Sequence, residues 1–318
     1  MIDYIDLSCL CKDTPFLGNC KPYPSRLNEY GWQTYTLQGC KEMQVQWRDD
    51  AHWLRIRGSL PYFLKGHNFT FSRAEYVESI ELIQSLLGVG LWDAGVDAFE
   101  YGAIVPVPNP PALYVKNHTA SPKSRLNENV RGKDRGAGKW WDNTAVILKM
   151  YDAGKNIQMK QGLKARWVIA QEGYDSKANY LKFECHFKKP FMLNANRDVI
   201  AEDLQNPQWI DKLDEILIQQ YKQLEPMKEL VKPRDKKNYL ALDVVVGEYA
   251  KALMNEGKPL AVAKRELYNA INQAECLSKP DKDARKATIR RAFDKLQEAE
   301  QSQWDISPLL EEALHKPI

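Results

Sequence analysis

Apolar and polar residues alternate in short runs through the first sixty positions, as in "WQTYTLQGC", "MQVQWRDD" and "HWLRIRGSL", and Pro, Gly and Asn punctuate them. A period of two with such breaks predicts strands joined by hairpins. At "FSRAEYVESIELIQSLLG" the period changes: Val77, Ile80, Ile83 and Leu87 recur at helical spacing. Ser72 and Glu75 form the S-x-x-E pattern of a capping box, and Gly88 and Gly90 supply the stop. "GVDAFEYGAIVPVP" predicts a strand running into a proline-rich turn. No period persists from Asn109 to Asn143, which reads as one long loop. Strands resume at "TAVILKMYD" and "ANYLKFECHFKKP", separated by a helix near 157–171. Beyond Pro190 only helical patterns remain, at about 208–231, 239–256, 260–277 and 281–302. These elements predict an α+β protein: an antiparallel sheet flanked by helices over residues 1–195, then an all-helical domain over 196–318.

Strand parity singles out chemistry, because alternate side chains share a face. On "YLKFECHFK" Lys182, Glu184 and His186 lie on one face, and Leu181, Phe183, Cys185 and Phe187 on the other. Asp97 sits in a half-buried run, where an acid needs a partner or a metal. On "VILKMYDAG" Lys149 and Tyr151 share a face. Asp97, Glu184 and His186 are therefore candidate ligands for Mg²⁺ or Mn²⁺, with Lys149 as a neutralising cation and Tyr151 as a candidate nucleophile. A phenol with a pKa near 10 needs such help to attack phosphorus at neutral pH. The competing expectation for the charged strand face is an ordinary solvated surface.

The composition, 44% hydrophobic and 27% charged, is that of a globular chain with material for a core. Its net charge of +3 is unevenly spread: nine Lys and Arg face thirteen Asp and Glu in 1–110, sixteen face seven in 111–190, and twenty face twenty-two in 191–318. The positive middle contains Lys116, Lys123, Arg125, Arg131, Lys133, Arg135, Lys139, Trp140 and Trp141. Cations grip phosphates and aromatic faces stack unpaired bases, so Arg125 to Trp141 are the candidate DNA contacts. "RGKDRGAGK" lacks the P-loop spacing. No run approaches a membrane span and the start lacks a signal-peptide pattern, which predicts a cytoplasmic protein. Six unevenly spaced cysteines predict free thiols.

The order of "MIDYIDL", "FLKGHNFTFS", "GVDAFEYG", the basic-aromatic segment, "LKMYDAGK" and "LKFECHF" resembles the gene II replication initiators of filamentous phages over residues 1–195. It is more distantly similar to plasmid initiators and relaxases of the Rep_trans type. The resemblance implies a protein that nicks one strand at an origin through a tyrosine, stays joined to the 5′ phosphate, and reseals after rolling-circle synthesis. Tyr151 and Asp152 would stand in the tyrosine motif, and Asp97 and Glu184 in the acidic motifs. Val96 and Ala153 depart from the family pattern, and the His-hydrophobe-His metal motif is lacking. Partners implied are origin DNA, a host helicase or polymerase, and a second copy of the chain. A relaxase for mobilisation, a non-catalytic nucleic-acid-binding regulator and a water-using hydrolase remain alternatives.

Overall fold

The computed structural model describes residues 1–22, 31–37, 40, 42–130, 138–194, 197–226, 241–255, 260–296 and 304–314. It is an α+β structure built on a ten-stranded antiparallel sheet. Strands β1 (Ile2–Leu10), β2 (Cys20–Pro22), β3 (Gln33–Leu37), β4 (Met43–Arg48), β5 (Trp53–Ser59) and β6 (Gly95–Val107) come from the first part of the chain. Strand β7 (His118–Ala120) leaves the sheet, and β8 (Asn127–Val130), β9 (Gly138–Asp142), β10 (Val146–Asp152) and β11 (Asn179–Phe187) complete it. The spatial order is β2-β3-β4-β5-β1-β6-β11-β10-β9-β8, so β1, β6 and β11 are central.

Between β5 and β6 lie α1 (Leu60–Lys65) and α2 (Arg73–Leu87). The capping box forms as the sequence predicts: the Glu75 amide donates to Ser72 Oγ at 3.2 Å and the Ser72 amide donates to Glu75 at 2.6 Å. Gly88 closes α2 in the left-handed region at φ 67°. The stretch expected as one loop holds α3 (Pro111–Lys116), β7, and the β8-β9 hairpin. Its strands are three to five residues long, too short for a period of two to stand out. Helix α4 (Ala153–Gln161) and α5 (Ala165–Gln171) replace the single helix expected, because Gly162 breaks the chain direction at φ 57°.

The chain forms two compact units, Met1–Val115 with Pro122–Gln223 and Ser307–Ile318, and Lys116–Ser121 with Leu224–Ile306. The sheet unit thus runs past residue 195, the expected boundary. Helix α6 (Pro207–Tyr221) belongs to it, burying Leu213, Leu217 and Tyr221 at four-residue spacing. Tyr101 Oη donates to Asp214 at 2.5 Å, and Phe183 meets Tyr221 edge to face. In the second unit α7 (Ala241–Asn255), α8 (Leu260–Gln273) and α9 (Lys279–Leu296) surround a core of Val246, Ala250, Leu253, Ala263, Ile289, Ala292 and Phe293. That unit is not wholly helical, since β12 (Leu224–Pro226) pairs with β7. Helix α10 (Ser307–Leu314) returns to the sheet unit.

Register sorts the central side chains. Phe183, Cys185 and Phe187 pair with Ala103, Tyr101 and Phe99, and all six are buried on the apolar face. On the other face Lys182, Glu184 and His186 stand opposite Ile104, Gly102 and Glu100, and opposite Tyr151, Lys149 and Ile147. Gly102 makes this possible. A Cβ there would lie 2.5 Å from Glu184 Cβ and 2.6 Å from the Phe183 carbonyl. Gly102→Ala should therefore lower stability by about 1–3 kcal/mol, the usual cost of overpacking a filled interior. Urea unfolding measures it, and an unchanged midpoint would contradict the close approach.

Candidate active site

Two irregularities in strand pairing shape the site. Ile2 pairs with Tyr101 and Ile5 with Phe99, so Asp3 and Tyr4 together oppose Glu100. This is a β-bulge, which re-aims side chains and recurs beside active sites. It turns Asp3 onto the charged face. Ser59 Oγ and Asn68 Nδ2 each donate to Asp3 at 2.7 Å and fix its carboxylate. Asn68 follows the Gly66-His67 corner after α1, where Gly66 adopts φ 77°.

Asp3, Glu100 and Glu184 each present a carboxylate oxygen, all within 4.8 Å of one another. Three hard oxygen donors at that spacing could hold a divalent cation of the Mg²⁺, Mn²⁺ or Ca²⁺ kind. Two ammonium groups now bridge them. Lys182 Nζ contacts Asp3 Oδ2 and lies 3.0 Å from Glu184 Oε2, and Lys149 Nζ contacts Glu100 Oε1 and lies 3.4 Å from Glu184 Oε1. A divalent ion would compete with these ammoniums for the same oxygens.

Tyr151 reaches this group from β10. Its hydroxyl donates to Glu184 Oε2 at 3.1 Å, and the Lys182 ammonium lies 5.8 Å from the ring centre. Gly138 on β9 stands opposite Tyr151, and a Cβ there would lie 3.1 Å from Tyr151 Cβ. The group lines a cleft of about 460 Å³ that also includes Tyr62, Trp140, Lys155 and Lys160. Asp152 then turns the strand into α4, its carboxylate accepting from the Lys155 amide at 2.8 Å.

The electrostatics follow from burial and neighbours. Burial raises the Tyr151 hydroxyl well above 10, and the charge on Glu184 pushes it the same way, while Lys182 opposes both. Burial likewise raises Glu184, against the pull of Lys182. Burial alone would lower Lys182, but the charges of Asp3 and Glu184 outweigh it and hold the ammonium well above its usual value. Burial would raise Glu100, yet His186 and Lys149 overcome it and bring the carboxyl to about 2.

No family model and no curated protein matches this sequence.

The structure brings Tyr151, Lys149 and Glu184 together and moves other expected residues out. Asp97 is not in the acidic group: Leu7 pairs with Val96 and Asp6 with Ala98, leaving Asp97 as the extra residue of a second bulge. It is 46% exposed and 3.9 Å from Arg55. Glu100, three positions on, takes its place. His186 faces the group indirectly, its Nδ1 3.0 Å from Glu100 Oε1 and its ring against Tyr4. Trp141 and Lys139, expected to contact DNA, are buried on the apolar side. The Trp141 indole donates to Glu128 at 3.1 Å, and Lys139 pairs with Glu128 at 3.0 Å. Trp140, one residue between them, has the opposite parity and lines the cleft. Arg125 is exposed before β8, and Arg131, Lys133 and Arg135 lie outside the described residues.

Asp3, Glu100, Lys182 as an ion-pair partner, and Asn68 were missed. Parity did carry a signal for Glu100, since Phe99, Tyr101, Ala103 and Val105 alternate as a buried face and leave Glu100 opposite them. No sequence signal gives the bulge that turns Asp3. Replacing Lys182 with Met should cost about 3–5 kcal/mol, because it strands buried carboxylates without their cation. In the parent, Lys182 titrates above its ordinary 10.5, so the pair's contribution is complete below that pH and fades only above it. In the variant the raised Glu184 favours folding only when protonated, so the deficit should shrink as pH falls towards 4.5. Unfolding at pH 7 and pH 5 checks this, and equal deficits at both would contradict it.

Proposed function

We propose that this chain is a metal-dependent DNA strand transferase that uses Tyr151 as its nucleophile, nicking and rejoining one strand at an origin in the manner of a rolling-circle replication initiator. The observation that carries the reading is the Tyr151 hydroxyl, 3.1 Å from a carboxylate of a three-acid group that lines the same cleft as the tyrosine. A buried phenol with a raised pKa is a weak nucleophile by itself. Mg²⁺ or Mn²⁺ on Asp3, Glu100 and Glu184 would supply positive charge for the phosphate oxygens and the phenolate. Glu184 holds the hydroxyl and accepts its proton as the oxygen attacks phosphorus. The P–O bond to the 3′ oxygen breaks, that oxygen takes up the proton Glu184 received, the strand leaves with a 3′ hydroxyl, and the 5′ phosphate remains on Tyr151. Attack by a 3′ hydroxyl reverses the step and reseals the strand. Lys149 and Lys182 keep the carboxylates oriented and limit their net charge when no metal is bound.

The same raised hydroxyl favours a second reading, a hydrolase in which water attacks and Tyr151 only orients the phosphate. One experiment separates them. The protein is incubated with supercoiled plasmid carrying its candidate origin in Mn²⁺, and relaxed circles are tested for covalently attached protein. The tyrosine reading predicts attachment in the parent and neither nicking nor attachment with Tyr151→Phe. Nicking by Tyr151→Phe, with no attached protein in either form, would contradict it.

A further inference from the structure

Beyond β10 the chain carries a surface that the cleft chemistry does not use. From Ala153 to Gln171, across α4 and α5, the sequence holds Lys155, Lys160, Lys164 and Arg166 and no acidic residue. The inward positions Ala153, Ile157, Ala165, Val168 and Ile169 pack with Phe69 and Tyr180, which fixes the rotation of both helices. The outward positions are therefore set as well. All four cations are exposed, and among them stand Met159 at 70%, Leu163 fully exposed and Trp167 at 61%. Gly162, at φ 57°, makes the corner that pushes Leu163 outwards.

Large apolar side chains in water on a segment this well packed underneath call for a ligand, and burying each would be worth about 1.5–3 kcal/mol. The ligand must also suit a basic face, on which Lys160 already lies 3.4 Å from Glu42 while Lys164 and Arg166 stand exposed. A single nucleic-acid strand does both, since its phosphates meet the cations and its unpaired bases offer flat apolar faces; a duplex keeps those faces stacked inside. The surface is continuous with the cleft, because Lys155, Met159 and Lys160 line it. The nine residues of α4 extend about 13 Å from that mouth.

We infer that the outer face of α4 and α5 is a track for single-stranded DNA leading to or from the cleft, with Trp167 stacking a base and Lys164 and Arg166 gripping phosphates. The choice of DNA rests on the proposed function. The existence of a single-strand track does not need the nicking step, so the two can fail separately.

The test is binding of a fluorescein-labelled, mixed-sequence single-stranded oligonucleotide by the full chain in EDTA, where no metal-dependent cleavage occurs. Trp167→Ala should weaken binding roughly tenfold, the loss of about one stacked base. Lys164→Ala with Arg166→Ala should reduce the slope of log affinity against log salt by about 1.4, two single-strand phosphate contacts at about 0.7 each. Circular dichroism should be unchanged, since all three side chains are exposed. Unaltered affinity and salt slope in both variants would overturn the inference. A loss of self-association in sedimentation, with DNA binding intact, would overturn it too and assign the surface to a second copy. The absence of any covalent adduct in the plasmid experiment would sink the tyrosine mechanism and leave this result standing.

Discussion

A lysine ammonium held between two buried carboxylates is the constraint on which the sheet unit is arranged. Lys182 is 1% exposed and bridges Asp3 on β1 to Glu184 on its own strand, passing over β6. Moving such charges out of water costs several kcal/mol each, and only close pairing with further hydrogen bonds makes it tolerable. The surroundings supply both. Asn68 and Ser59 complete the shell of Asp3, Lys149 and Tyr151 complete that of Glu184, and Gly102 removes the side chain that would hold the two strands' groups apart. Truncating any member would leave a buried charge without its partner.

That arrangement accounts for what the site can do. Three carboxylates and two ammoniums nearly balance, so the group can persist without a metal and still offer oxygen donors to one. Tyr151 is placed by the same contacts, since its hydroxyl shares Glu184 Oε2 with Lys182. A cation entering the group would therefore alter the charge beside the phenol most directly. Asp152 then couples site and surface: by capping α4 it sets the direction in which the basic face of α4 and α5 departs from the cleft.

Much of this was legible in the sequence, and particular residues show where legibility stopped. The α2 boundaries followed from Ser72, Glu75 and Gly88 because caps are local chemistry. The faces of β10 and β11 followed from parity because those strands pair without interruption through seven register positions. The true placement of Asp97 and Asp3 is hidden from the sequence for one reason. Each lies at a bulge, where an added residue in one strand reverses the alternation, and the partner strand that defines the bulge is remote in sequence. Of the two expectations for the charged face of β11, solvated or metal-binding, the solvated one fails: Lys182 and Glu184 are buried in an ion-pair network whose carboxylates could also hold a cation. Its partners Asp3 and Glu100 come from strands whose neighbourhood only the fold creates. The tandem Trp140 and Trp141 read as two base-stacking rings, but adjacent strand residues must face opposite sides, so one lines the cleft and the other is core. The sequence groups α6 with the C-terminal helices because its amphipathic pattern does not say which apolar surface it covers.

The most direct test of the central claim is diffraction at the manganese absorption edge from crystals of the full chain equilibrated with Mn²⁺. The expected result is one anomalous peak within coordination distance, about 2.2 Å, of oxygens from Asp3, Glu100 and Glu184, with the Tyr151 hydroxyl beside it. A peak at other residues, or Lys182 and Lys149 still bridging the three carboxylates with no manganese among them, would contradict it.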